Sequence, residues 1–152
     1  MYQSKITGTG KYHPEKVLTN DDLSKMVDTS DEWIIQRTGI KERRQSDLTK
    51  DEFPSGMAYH SAKEAIENAG LEPNDIEMIV FSVTLPDMLF PNTASCLQDK
   101  LGITNKCACI DVNAACTGWV NGMTMANSLI QTGVYKNILV VGTEMTSTFN
   151  NW

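Results

Sequence analysis

The chain has 152 residues, 41% of them hydrophobic and 21% charged, with a net charge of −6. Those values exclude a disordered chain and a generic nucleic-acid binder, and they allow one domain with its own core. No apolar run approaches the roughly 20 residues of a membrane span, and "MYQSKITGTG" lacks the basic and apolar blocks of a secretion signal, so the expected location is the cytoplasm.

In chain order, "KITGTGKY" reads as a short strand and a turn. Its Gly8-x-Gly10 pair lacks the third glycine and the following helix of a dinucleotide fingerprint. "TNDDLSKMV", residues 19–27, predicts a helix opened by Thr19 or Asn20. "TSDEWIIQRTG", residues 29–39, predicts another, with Thr29 and Glu32 at capping-box spacing and Gly39 as its end. "RTGIKERR" gathers Arg37, Lys41, Arg43 and Arg44 against Glu42 alone. That run is either a solvated loop or a patch for a phosphorylated ligand or acidic partner.

From Ser55 the pattern becomes regular. Ala58, Ala62, Ala65, Ile66 and Ala69 recur at helical spacing, with Ser55 as cap and Gly70 as stop. Residues 76–84, "IEMIVFSVT", read as a strand covered on both faces. Pro86 and Pro91 bound a loop, residues 92–101 predict a helix ended by Gly102, and "CACIDV" is the next strand. Residues 115–132 predict a helix with Trp119, Val120, Met123, Ala126, Leu129 and Ile130 on one face and Gly133 as its end. "NILVVGT", residues 137–143, is a further strand, and the sequence then breaks off at "STFNNW". Alternating strands and helices imply a parallel α/β sheet with crossover helices.

Four cysteines in a reducing compartment are expected as free thiols. Cys107 and Cys109 share a strand face and Cys96 lies in a helix, so all three read as core. Zinc is not expected, because C-x-C lacks a second ligand pair and His13 and His60 are distant in sequence. Cys116 differs. It follows a strand of a parallel sheet, where ligand sites form, and it opens a helix whose free N–H groups and partial positive charge favour a thiolate. Ala114, Ala115 and Gly118 keep that junction narrow, as in a nucleophile elbow. Position alone leaves open whether Cys116 is a nucleophile or a small buried hydrophobe.

Two stretches, "TSDEWIIQRTGIKER" and "DVNAACTGWVNG", together resemble the β-ketoacyl-acyl-carrier-protein synthase III family of bacterial fatty-acid synthesis, within the thiolase superfamily. "ITGTGKYHPEKVLTNDDL", "FPNTAS" and "NILVVGTE" match in the same order, so the resemblance runs from residue 2 to about 146. It implies a thiolase-like fold, the N-terminal half of a duplicated βαβαβαββ arrangement with a mostly parallel mixed sheet. It implies that residues 1–152 are that half, and that the final strand and the half bearing the family's catalytic His and Asn lie elsewhere. Cys116 would take an acyl group from acyl-CoA, a substrate rather than a cofactor, and condense it with malonyl-acyl-carrier protein. Thr29, Trp33 and Arg37 would line the CoA channel, which agrees with the shared helix face of the last two. Phe90 would reach across a homodimer interface to limit the acyl pocket. No metal and no cofactor is expected. Thr117 and Trp119 depart from the family, which often has Ala or Ser and then Phe there. A related condensing enzyme or acyltransferase of secondary metabolism, or a non-catalytic CoA-binding remnant, would share these features.

Overall fold

A computed structural model describes residues 2–148. Residues 149–152, the "FNNW" end of the sequence, lie outside them. The element order is β1 (Val17–Thr19), α1 (Asn20–Ser24), α2 (Asp31–Thr38), β2 (Glu42–Arg44), α3 (Pro54–Asn68), β3 (Met78–Ser82), α4 (Thr93–Lys100), β4 (Ala108–Val112), α5 (Gly118–Gln131) and β5 (Ile138–Gly142). Two sheets result: an antiparallel β1–β2 pair, and a parallel sheet in the order β4-β3-β5.

The central strand β3 is buried at all five positions, as expected for a strand covered on both faces. Ile79 and Phe81 point towards Ala58, Ala62 and Ile66 of α3 and Ala94 and Leu97 of α4, which form the main core. The opposite face belongs to α5. Its core row is Gly118, Gly122 and Ala126, whereas Trp119 is 46% and Val120 59% exposed. That corrects the expected apolar face. A Cβ on Gly122 would stand 3.1 Å from Val140 and 3.2 Å from Val80, so the missing side chains set how closely the helix approaches the sheet. Small residues pack here by absence, which a count of large apolar residues cannot register.

The expected strand in "KITGTGKY" does not form; residues 2–10 belong to no regular element. The segment instead lies on α3. A Cβ on Gly8 would fall 2.1 Å from the Ala65 carbonyl oxygen, and one on Gly10 2.0 Å from that of Ser61. The two glycines therefore serve backbone contact with a helix, and a cleft of about 530 Å³ separates the segment from β5.

Several helix ends also differ from expectation. The N-cap of α2 is Ser30 rather than Thr29, its Oγ accepting from the Trp33 N–H at 3.2 Å. Gly39 ends α2 in the left-handed conformation, as expected. Helix α1 is only five residues long, with the Thr19–Asp22 capping box at its start. Ser55 lies inside α3, behind Phe53 as N-cap and Pro54. The β1–β2 pair has its own small core of Leu18, Leu23 and Ile34, and three-residue strands are too short for periodicity to reveal.

Candidate active site

Strands β3, β4 and β5 run in register, so Ser82, Val112 and Gly142 end side by side. Three loops leave that edge. The loop after β4 carries Cys116 in a 3-10 turn, Ala115–Thr117, that leads directly into α5. Ala115 has φ 45°, one of two described non-glycine residues with positive φ. Left-handed backbone at an alanine costs free energy and persists only where its surroundings impose it. Here the constraint is visible. Thr117 donates from N–H and Oγ1 to the Ala114 carbonyl at 3.1 and 2.9 Å. A Cβ on Gly118 would lie 2.1 Å from Ser82 Oγ. The helix start is pressed against the end of β3, and the chain turns sharply to reach it. Cys116 is left exposed at the turn.

The other three cysteines are half-buried. Burial pushes the Cys107 thiol up to about 12, with Cys109 beside it adding to the effect. Burial raises Cys109 and Cys96 as well. Cys107 and Cys109 pack against the main core, which accords with their reading as core residues. Thiolate chemistry is therefore disfavoured at these three sites.

Phe90 lies in the loop after β3. Leu89 and Phe90 are 99% and 89% exposed, with Met88 at 49%. The loop is held at its ends. The Thr84 N–H donates to Glu144 Oε1 at 2.8 Å. Asn92 caps α4, its Oδ1 accepting from Ser95 N–H at 3.0 Å. Asp111 of β4 accepts from the N–H groups of Thr93 and Ala94 at 2.8 Å each. The sequence places Ala115 in the narrow junction without revealing its left-handed conformation, and it points to no role for Asp111; adjacency to Cys116 in "DVNAAC" is the available signal.

Thr29, Trp33 and Arg37 lie on the β1–β2 lobe. Arg37 stacks over the Trp33 ring with its guanidinium carbon 4.5 Å from the centroid. Trp33 is 52% exposed, so a flat aromatic-cation surface faces outwards. Thr29 is half-buried in the loop before α2. The basic run is less free than its composition suggests. Arg43 donates to Asn20 Oδ1 at 2.8 Å, and Arg44 pairs with Glu42 at 3.6 Å and donates to the Pro14 and Glu15 carbonyls. Among the described residues, no hydrogen bond or ring contact joins the Trp33–Arg37 pair to the Cys116 turn. The lobe does touch the sheet's carboxyl edge through Ser46 Oγ and Ser147 Oγ, 3.3 Å apart.

The parallel α/β sheet, with Cys116 exposed in a tight strand-to-helix turn at its carboxyl edge, has the architecture of the thiolase fold. Residues 110–152 match the 3-oxoacyl-[acyl-carrier-protein] synthase III family. The β-ketoacyl-[acyl-carrier-protein] synthase III of Caldanaerobacter subterraneus is 48% identical over 147 residues, which cover 97% of this chain and 44% of that protein. The crystal structure of 3-oxoacyl-[acyl-carrier-protein] synthase III from Aquifex aeolicus superposes with a TM-score of 0.90 at 44% identity, over 95% of this chain and 46% of that one. The priming β-ketosynthase of the R1128 polyketide pathway superposes with a TM-score of 0.88 at 29% identity, over 94% of this chain and 42% of that one. The chain belongs to the 3-oxoacyl-[acyl-carrier-protein] synthase III family and spans less than half the length of these relatives.

Proposed function

We propose that this chain carries the nucleophile of a β-ketoacyl-acyl-carrier-protein synthase III-type acyltransferase that starts fatty-acid synthesis. The observation that carries the reading is Cys116, exposed in the turn between β4 and α5 behind a left-handed Ala115. The Cys116 thiolate attacks the acyl-CoA carbonyl, and the tetrahedral oxyanion is held by N–H groups at the start of α5. Collapse expels the CoA thiolate, which takes a proton, and leaves an acyl thioester on the enzyme. Malonyl-acyl-carrier protein then loses carbon dioxide. The resulting carbanion attacks the thioester carbonyl, forming the new carbon–carbon bond and releasing the Cys116 thiolate.

Thr29, Trp33 and Arg37 are proposed to hold CoA, the adenine against the Trp33–Arg37 surface and a phosphate near the guanidinium. Phe90 is proposed to limit the acyl pocket across a homodimer interface, a role its exposure suits. The His and Asn that promote decarboxylation would come from a C-terminal half of the same enzyme, and the setting would be the cytoplasm. Condensation is proposed to require that half.

The test is labelling by radioactive acetyl-CoA followed by digestion. The "DVNAACTGW" peptide is expected to hold the label, and Cys116→Ala to abolish it. Label on the "CACI" peptide would falsify the assignment, and no label with the second half present would leave a CoA-binding remnant as the better reading. The likeness to the R1128 priming enzyme favours one second reading, the same chemistry in polyketide assembly. Transfer to a polyketide carrier protein in preference to that of fatty-acid synthesis would select it.

A further inference from the structure

The loop after β3 is braced in its middle as well as at its ends, by a contact with the helix that precedes the strand. Helix α3 begins without a local cap. Phe53 offers no side-chain acceptor, and Pro54 has no N–H. The first free backbone donors would be orphans. Asp87 fills the gap from 32 residues away. Its Oδ1 accepts from the Ser55 N–H at 2.9 Å, and its Oδ2 accepts from Ser55 Oγ. Ser55 is fully buried and Asp87 half-buried, so the donor end of both bonds is shielded from water. Met88, Leu89 and Phe90 follow Asp87 directly and project into solvent. Three apolar side chains on a free loop would fold back onto the nearest surface; these do not, and the residue before them is tied down by two hydrogen bonds.

We propose that Asp87 is the positioning residue of this projection: by tying the loop to the start of α3 it fixes where Phe90 is presented, and so sets which acyl groups the pocket accepts. The inference rests on the acyl-pocket reading of Phe90. Asp87 touches neither substrate nor Cys116; it acts through Phe90.

The experiment measures kcat/KM for a short and a long acyl-CoA in the complete acyl-transferring protein that contains residues 1–152, for Phe90→Ala, Asp87→Ala, Asp87→Asn and Ser55→Ala. Phe90→Ala and Asp87→Ala are expected to shift the ratio of the two donors in the same direction, by about tenfold or more. Asp87→Asn keeps a carbonyl acceptor for the Ser55 N–H and is expected to restore most of the original ratio, which a general loss of stability would not do. A ratio that moves with Phe90→Ala but not with Asp87→Ala overturns the inference and leaves the role of Phe90 intact. A ratio that moves with neither removes the reading of Phe90 and the inference with it. Should Asp87→Ala fail to fold, Ser55→Ala decides, because it deletes one of the two bonds and keeps the backbone N–H. A partial shift there supports the brace and an unchanged ratio overturns it.

Discussion

Ala115 holds the left-handed conformation immediately before Cys116, at a cost to an L residue of about 1–2 kcal/mol. A side chain branched at Cβ tolerates that region less well than alanine does. Ala115→Val is therefore expected to destabilise the fold by about 1–2 kcal/mol relative to Ala115→Gly. Urea unfolding of the two variants checks this, and coincident midpoints would mean that the turn is not left-handed in solution. Arg37 tests the proposed CoA-binding surface. Its guanidinium is stacked on Trp33, and no ion pair with a carboxylate occupies it among the described residues. Arg37→Ala is expected to lower kcat/KM for acyl-CoA by roughly ten- to a hundredfold, the value of a charge-assisted contact. It should leave a short acyl thioester without the nucleotide nearly unaffected. Equal losses with both donors would remove the pair from the CoA site.

At the scale of elements, the glycines separate what the sequence makes legible from what it hides. Gly8 and Gly10 allow residues 2–10 to lie against the backbone of α3. Gly8→Ala places a carbon 2.1 Å from a carbonyl oxygen, and backbone cannot yield as a flexible side chain can. The segment is expected to lift off, at a cost of about 1–3 kcal/mol, and trypsin should then cut at Lys5 and Lys11 early in limited digestion. Unchanged cleavage would show that the segment does not rest on α3. The positions of α3, α4, α5 and the three parallel strands were legible because each is long enough for a period of 3.6 or for a continuous apolar run. Cys116 was legible for a related reason, since a strand leading through small residues into a helix marks the edge of a parallel sheet where chemistry gathers. What escaped depends on partners remote in sequence. "KITGTG" alternates as a strand does, yet a strand exists only where a neighbour completes its ladder. Asp87 caps a helix that starts 33 residues before it, and no local pattern announces such a bond. The core face of α5 is a row of small residues, whereas periodicity draws attention to large ones.

At the scale of the whole molecule, four protonated acids tie stability to pH on the alkaline side. The hydrogen bond that Tyr12 donates to Glu52, 2.7 Å long, with some burial, raises the phenol from 10.0 to about 12. Burial raises Cys107 from 9.0 to about 12, and Cys96 and Cys109 shift in the same direction. Each group is held neutral in the fold beyond the pH at which the unfolded chain ionises it. Above pH 9 the unfolded state therefore binds fewer protons than the native state, and stability falls as pH rises. The contribution is complete below pH 9, where both states are protonated, and is lost progressively between pH 9 and about 12, the window set by Cys107 and, from 10.0 upward, by Tyr12. Urea midpoints are expected to be lower at pH 10 than at pH 8. Cys107→Ala should flatten that dependence even though it also creates a cavity, because the cavity lowers the midpoint equally at both pH values. Tyr12→Phe should flatten it only above pH 10. A midpoint that does not fall between pH 8 and pH 10 would show that these thiols ionise in the native protein as readily as in the unfolded chain, and would reopen Cys107 and Cys109 as rivals to Cys116 for the acyl group.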